Sequence, residues 1–157
     1  MPLLLLALAA QASSNKLPPA QILPPPMGEE QSVLAPVNRL LAAIASGDRQ
    51  ALLAEVRPEG GATAAFDLPD RHTVSRESWA EFSTSIGGGP NVIAERLIDP
   101  AVEVDGDIAM VWSDYIFTMN GKVQHCGVDH FDLVRENGVW KVLNATWSER
   151  SSNCPTQ

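Results

Sequence analysis

The chain has 157 residues, 45% of them hydrophobic, and is therefore long enough to bury the core of one globular domain. Its formal net charge at pH 7 is −8, from 19 acidic and 11 basic residues. Because nucleic-acid binding depends on clustered Lys and Arg contacts to phosphates, and the sequence has no such cluster, this composition argues against a nucleic-acid partner.

The N-terminus begins with a short apolar run, Leu3 to Ala10, followed by the small-residue pattern Ala10-Gln11-Ala12. This order is typical of a secretory signal peptide, here residues 1–12, and predicts a secreted or periplasmic protein. No Lys or Arg precedes the run, so an apolar tail or a start codon assigned too early remains an alternative. The run is too short to cross a bilayer, and no transmembrane segment is predicted.

Five prolines lie between Leu17 and Met27. Proline fixes φ and removes a backbone donor, so residues 13–28 are predicted to form an extended, disordered tether. A ligand for a proline-recognising domain is the alternative. The folded part is then a single domain over residues 29–157.

Three helices are predicted before the main strands. The first has apolar residues at helical spacing and ends at Gly47: Val33, Val37, Leu40, Leu41 and Ile44. Pro36 suits the first turn of a helix, which predicts that the regular part starts near Ala35.

The second helix is predicted over Arg49 to Val56, with Asp48 as its N-cap, and the third over residues 76–86, capped by Ser75. Two short strands, residues 62–66 and 71–74, are expected between them. Gly87-Gly88-Gly89 follows a helix instead of opening one, and is therefore interpreted as a flexible exit and not as a phosphate-binding loop.

Two Asn-Gly pairs, Asn120-Gly121 and Asn137-Gly138, stand between runs of β-branched and aromatic residues. Asn-Gly favours a two-residue type I′ turn, because both central positions need positive φ. Three antiparallel strands are predicted, roughly 108–119, 122–135 and 139–149. A fourth precedes them over residues 91–104, and its Pro100 indicates a bulge or an edge position.

The turns set which side chains share a face. With Met119 paired to Lys122 and Glu136 to Val139, Ile116 lies opposite His125 and Asp129 opposite Thr146. One face then carries Met110, Trp112, Asp114, Ile116, His125, Asp129, Phe131, Leu133, Val142, Asn144 and Thr146. The other includes Tyr115, Phe117, Val128 and Trp147. The first face is unusual because it mixes large apolar groups with carboxylates, a histidine and an amide.

From Glu29 to Glu149 the chain resembles the nuclear transport factor 2-like superfamily, in particular its SnoaL-like polyketide-cyclase branch. The segments that carry the resemblance are 41–48 (LAAIASGD), 95–100 (ERLIDP), 105–112 (DGDIAMVW), 125–131 (HCGVDHF) and 138–142 (GVWKV). It implies an α+β, cystatin-like cone, in which three N-terminal helices pack in the concave face of a strongly curved, mostly antiparallel sheet. It also implies a pocket at the open end and homodimers formed across the sheet. Ketosteroid isomerase and many non-catalytic proteins share this fold, so fold alone does not choose a function.

A pocket module that binds a small apolar molecule, without cofactor or reaction, is the first functional interpretation. Trp112, Ile116, Phe131, Asn144 and Thr146 are its predicted ligand pocket. The alternative is a cofactor-free lyase, isomerase or hydrolase, with Asp129, His125 and Asp114 as the candidate catalytic residues. Burial raises the pKa of a carboxylate and suits it to acid–base work.

Two non-catalytic interpretations remain open. His125, Asp129 and Thr146 form a buried polar network in one of them. In the other, the cone of a protein-interaction domain is filled by Trp112 and Phe131. A metal site is not predicted, because His125 and His130 are five positions apart and face opposite sides of a strand, and His72 has no partner cluster.

Cys126 and Cys154 are predicted to form a disulfide, since an exported chain with two cysteines meets an oxidising compartment. Two unrelated thiols are the alternative. The face with Tyr115, Phe117 and Trp147 needs cover, which favours a two-fold homodimer through the sheet. A monomeric mass in light scattering at micromolar concentration would reject the dimer.

Overall fold

The computed structural model describes residues 27–87 and 89–155. Its elements in chain order are α1 (Met27–Ser46), α2 (Arg49–Glu55), β1 (Val56–Leu68), β2 (Arg71–Ser78), α3 (Trp79–Ser85), β3 (Ile93–Asp105), β4 (Ile108–Met119), β5 (Lys122–Glu136) and β6 (Val139–Glu149). The predicted signal peptide, residues 1–12, and residues 13–26 of the predicted tether lie outside the described residues. The last two residues of the predicted tether, Met27 and Gly28, belong to α1 instead. None of the described helices combines the length and apolar character that crossing a bilayer requires.

The six strands form one sheet in the order β2-β1-β6-β5-β4-β3. All neighbours are antiparallel except β1 and β6, which run parallel. The α+β prediction of three helices on a mostly antiparallel sheet is confirmed. The tight turns at Asn120-Gly121 and Asn137-Gly138 are also present, with positive φ at all four residues.

The core lies between the helices and one face of the sheet. Helix α1 supplies Val33, Val37 and Leu40, all at most 1% exposed, as its 3.6-residue spacing predicts. Its start differs from the prediction: the helix begins at Met27, and Pro36 lies buried inside it. We attribute this to the burial of Val33, one turn before the proline, because packing of that turn offsets the hydrogen bond that Pro36 lacks.

Helix α2 has the predicted N-cap, since Asp48 Oδ1 accepts from the backbone N–H of Ala51 at 2.9 Å. Helix α3 begins three residues later than predicted. Ser78, not Ser75, is its N-cap, and Glu81 completes a capping box with it. The residues before it extend strand β2 instead. The short strands predicted between α2 and α3 are therefore longer, 13 and 8 residues.

Two β-bulges change the predicted register. In β5 the pairing shifts by one residue around Gln124, so that His125 lies opposite Phe117 and Cys126 opposite Ile116. In β6 it shifts around Leu143, so that Phe131 lies opposite Ala145. The predicted pairs of Ile116 with His125 and of Asp129 with Thr146 are wrong for this reason.

The second bulge is held by tertiary contacts. The indole N–H of Trp79 in α3 donates to the carbonyl of Leu143 at 2.8 Å, and Trp79 is 1% exposed. Gly60 in β1 lies against the same carbonyl, at a distance where no side chain fits. Helix α3, strand β1 and strand β6 therefore fix the bulge together.

Because of the bulges, the residues from which the homodimer was predicted do not form an exposed apolar patch. Tyr115 is 1% exposed and, with Phe117 and Trp147, lies on the concave side of the sheet. Trp112 lies on the convex side instead and is 51% exposed. The homodimer stays a prediction, without the patch from which it was argued.

The predicted disulfide between Cys126 and Cys154 is present, with 5.6 Å between the two Cα atoms. It holds the C-terminal segment against the convex side of β5, where Arg150 and Cys126 exchange two backbone hydrogen bonds of 3.0 Å. Ile116 is buried on that side, paired with Cys126. The bond links residues 28 positions apart and so restricts the unfolded chain.

Reduction of this disulfide is expected to lower the free energy of unfolding by about 3 kcal/mol, by releasing a loop of that length. The measurement is urea unfolding of the oxidised protein, the reduced protein and a Cys154→Ser variant. The reduced protein and the variant should share one lower midpoint. Equal midpoints for all three would show that the bond does not constrain the fold.

Candidate functional site

A cavity of about 180 Å³ opens between the helices and the concave face of the sheet. A cavity of roughly 150 Å³ is enough to hold benzene, so this one fits a molecule of one ring or a compact pair of rings. Its walls are mainly apolar and aromatic, and they are formed by Leu40, Leu41, Ile44, Ala62, Trp79, Phe82, Glu95, Phe117, His125, Asp129, Phe131, Ala145, Trp147 and Glu149.

Three of the predicted site residues line this cavity: His125, Asp129 and Phe131. The structure places the others elsewhere. Asp114 and Trp112 are exposed on the convex side of β4, and Asn144 and Thr146 pair with convex residues of β5. Ile116 is buried on the convex side beside Cys126.

The same two bulges explain these differences, because each exchanges the faces of a neighbouring strand relative to β5. Asp114, predicted as catalytic, therefore lies outside the cavity. The predicted network of His125, Asp129 and Thr146 is absent as well, since Thr146 faces the other way. Trp112 does not fill the cone.

Asp129 is the buried acid of the cavity, with 4% of its surface exposed. Among the described residues, no backbone N–H and no hydroxyl, amide or basic side chain donates a hydrogen bond to the Oδ2 atom of Asp129. The group that does meet the Asp129 side chain is a second carboxyl, that of Glu95 in β3. A hydrogen bond between two carboxyl groups requires that one of them carries a proton.

Burial raises the pKa of Glu95 to about 7, against the opposing effect of its hydrogen bond to Asp129. Burial likewise raises the pKa of Asp129 to about 9, helped by the charge of Glu95 and the hydrogen bond with it. Two close carboxyl groups in an apolar wall resist double ionisation, because burial and like charge both disfavour the second negative charge. At neutral pH the pair therefore holds a shared proton.

His125 forms the second polar feature of the cavity. Its Nδ1 lies 3.0 Å from the hydroxyl of Tyr115, and that hydroxyl donates to the carbonyl of Ser148 at 3.0 Å. Since a carbonyl only accepts, the Tyr115 proton is used there, and His125 donates from Nδ1 and keeps Nε2 as an acceptor. Burial lowers the pKa of His125, which favours this neutral form. It also raises the pKa of Tyr115, which stays protonated.

Aromatic rings form much of the remaining wall. Phe82 makes edge contacts with Trp79 and Trp147, with ring centroids 5.9 and 6.0 Å apart. Phe117 stacks on the imidazole of His125 at 4.4 Å. These contacts fix the ring orientations and give the cavity a defined shape.

The sequence-based prediction missed Glu95, Phe117, Trp147 and Glu149. Glu95 reaches the cavity because β3 has a register shift at Asp99-Pro100, where Asp99 adopts a positive φ of 48°. The shift pairs Glu95 with Phe117 on the concave side. Pro100 signalled this bulge, but not its width, on which the face of Glu95 depends.

The described residues contain no group of three His, Cys, Asp or Glu side chains placed to hold a metal ion. The arrangement instead suits hydrogen bonding and proton transfer. It combines a carboxyl pair with one proton, a neutral imidazole with a free acceptor, and an aromatic wall.

A family profile described as "Putative lumazine-binding" matches residues 28–148. No curated protein matches the chain. The profile covers all three helices from Gly28 onward and nearly the whole sheet, including each residue that lines the cavity except Glu149.

Solved structures with the same fold include a cystatin-like protein of unknown function from Nostoc punctiforme, with a TM-score of 0.65 and 10% identity over 83% of this chain and 97% of the other. A nuclear transport factor 2-like protein from Novosphingobium aromaticivorans has a TM-score of 0.60 and 14% identity over 83% and 86%. The association domain of C. elegans CaMKII has a TM-score of 0.61 and 17% identity over 78% and 96%. These identities establish the fold alone, and the predicted cystatin-like cone is confirmed.

Proposed function

The chain belongs to the putative lumazine-binding family, within the nuclear transport factor 2-like superfamily, and on that premise we propose that it is an exported protein that binds one small, largely apolar organic molecule in its cavity. The observation that carries the proposal is the open cavity of about 180 Å³ with a carboxyl pair in an aromatic wall. A site built only for stability would fill this space, because buried voids and unpaired polar atoms both cost free energy.

Export is supported by two separate features. The apolar run and cleavage pattern of residues 1–12 are typical of a signal peptide, and Cys126 and Cys154 form a disulfide, which persists in an oxidising compartment.

Blocking the cavity should weaken binding without unfolding the protein. Ile44 of α1 lines the cavity and is half-buried, so Ile44→Trp places a large ring in the ligand's space. With benzyl alcohol as the probe, the variant is expected to bind about tenfold more weakly than the unmodified protein, through the loss of apolar contact area. NMR titration measures this.

The matched control is Leu53→Trp, the same change at a residue of α2 that is 39% exposed and away from the cavity. It should bind like the unmodified protein. Equal affinities for all three proteins would place the probe outside the cavity and reject the proposed site.

A second candidate function is favoured by the shared proton of Glu95 and Asp129. A buried carboxyl pair can take a proton from a weakly acidic C–H group of a bound ligand and return it elsewhere, without a cofactor. In this case the protein is a lyase, isomerase or hydrolase that uses acid–base chemistry, with the Asp129–Glu95 pair as base and His125 as a hydrogen-bond acceptor that orients the substrate.

Deuterium uptake by cyclohexanone in D₂O tests this candidate, with NMR as the readout. If the protein has this activity, deuterium should exchange into cyclohexanone faster than in buffer alone. The exchange rate should fall by about a hundredfold in Asp129→Asn, because an amide does not accept a proton. Exchange at the buffer rate in the unmodified protein would leave the binding function alone. Asp114→Asn, which changes an exposed acid on β4, is the control and should exchange normally.

A further inference from the structure

None of the ionisable groups that line the cavity carries a positive charge. Glu95, Asp129 and Glu149 are acids, and His125 is neutral because burial lowers its pKa. Among the described residues that line the cavity there is no Lys or Arg. The polar part of the site therefore offers acceptors, and no fixed cation of the protein competes for them.

The surroundings of Asp129 are an independent observation that points to a ligand with donor groups. Asp129 is only 4% exposed, and apart from the Glu95 carboxyl no group of the described residues forms a hydrogen bond with its Oδ2 atom. A buried acceptor without a donor costs free energy, and a ligand that supplies an N–H group recovers it. Asp129 lies in the wall of the cavity, where such a ligand would meet its carboxyl.

The aromatic lining points to the same ligand chemistry. Five rings surround the space: Trp79, Phe82, Phe117, Phe131 and Trp147. The faces of aromatic rings attract cations, most strongly where water is excluded, and rings combined with carboxylates are a common way to bind an organic ammonium group.

We infer that the cavity selects a small organic cation, namely a primary amine carried on a single ring, whose ammonium group donates to Asp129 and Glu95 while its ring packs against the aromatic wall. This inference rests on the proposed function, because it names the ligand class of the same cavity. A neutral molecule of equal shape carries fewer donors and no positive charge for the carboxyl pair, and it binds more weakly.

Binding of the amine is coupled to loss of a proton. Without a bound amine, the pair holds one proton between its two carboxyl groups. A bound ammonium group takes the position of that proton, which passes to the solvent. The other ionisable groups near the pair are Tyr115, His125 and Glu149, with Arg150 close enough to act on Tyr115, whereas α1 and α3 contribute only apolar lining. Tyr115 stays neutral throughout. Affinity for the amine should therefore rise between pH 6 and pH 8, as the pair and any protonated His125 lose protons.

The test uses benzylamine and benzyl alcohol, which have nearly the same shape and differ in charge. Isothermal titration of the full chain at pH 8 should give benzylamine an affinity at least about tenfold higher, because a charge-assisted hydrogen bond replaces a neutral one. The benzylamine affinity should fall by about tenfold at pH 6, and titrations in two buffers of different ionisation enthalpy should reveal the released proton.

Two variants and one control locate the effect. Asp129→Asn and Glu95→Gln each keep the side-chain shape and remove one acidic group, so both variants should lose the preference for benzylamine over benzyl alcohol. Asp114→Asn should keep that preference. If Asp129→Asn misfolds, Glu95→Gln decides the question alone.

The failures are distinguishable. Equal affinities of the unmodified protein for the two probes would overturn the cation selectivity and leave the cavity as a ligand site. A benzylamine preference that persists in both carboxyl variants would overturn the assignment to Glu95 and Asp129. No binding of either probe would overturn this inference and the proposed function together.

Discussion

Gly60→Ala is expected to lower the free energy of unfolding by about 4 kcal/mol or more, because the added methyl group meets backbone and not a movable side chain. A Cβ atom at Gly60 would lie 1.6 Å from the carbonyl oxygen of Leu143. That carbonyl also accepts the indole N–H of Trp79, so moving it away would break a buried hydrogen bond as well as the bulge in β6. Urea unfolding followed by tryptophan fluorescence gives the change in midpoint and slope.

Gly28→Ala is the matched control. Gly28 lies in α1, and a Cβ atom there meets nothing within 4 Å. Alanine is the better helix former, so this variant should be as stable as the unmodified protein or slightly more so. An unchanged midpoint in Gly60→Ala would show that β1 and β6 do not approach closely, and would remove the explanation given for the bulge.

The same bulge limits what the sequence reveals about the site. Alternation along a strand and the two Asn-Gly turns correctly predict the strand ends and the pairs next to each turn, Met119 with Lys122 and Glu136 with Val139. These features depend on local chemistry. The shift at Leu143 depends on Trp79 and Gly60, which are distant in sequence, and no local pattern announces it.

The candidate site was therefore predicted in part. His125, Asp129 and Phe131 share one face of β5 whatever the neighbouring strands do, because alternation within a strand needs no register. The partners on β4 and β6 were assigned to the wrong face, since each bulge inverts one neighbour. The face on which Glu95 lies could not be predicted for the same reason, because it depends on the register shift at Pro100.

The start of α3 shows the opposite case, in which the signal was available. Ser78-Trp79-Ala80-Glu81 has the Ser-x-x-Glu spacing of a capping box, and the structure uses it. Ser75 lacks an acid three residues later and remains in β2. The cap gives a reason for the position of Trp79, which reaches both the bulge carbonyl and the cavity wall.

The carboxyl pair is expected to make the protein less stable as pH rises, by at least about 4 kcal/mol in total between pH 4 and pH 9. In the unfolded chain both acids lose their protons near pH 4. In the folded protein burial raises the pKa of Glu95 to about 7 and that of Asp129 to about 9. Between these limits the folded state holds more protons than the unfolded state, so each rise in pH favours unfolding. Below pH 4 both states are protonated and the pair costs nothing.

Asp129→Asn should therefore stabilise the protein at pH 8, by about 2 kcal/mol, although it changes a buried polar residue. The amide removes the group with the higher pKa and donates a hydrogen bond to the Glu95 carboxylate, whose ionisation then costs less. Unfolding free energies measured from pH 4 to pH 9 should show less than half the original slope. Asp114→Asn, at an exposed position of β4, should follow the unmodified protein. Parallel curves for all three would mean that the two acids ionise as freely as in water, and the shared proton would have to be abandoned. A buried acid whose removal stabilises the protein is typical of a residue that is retained for ligand binding. The stability that such an acid costs is recovered only when a donor occupies the cavity.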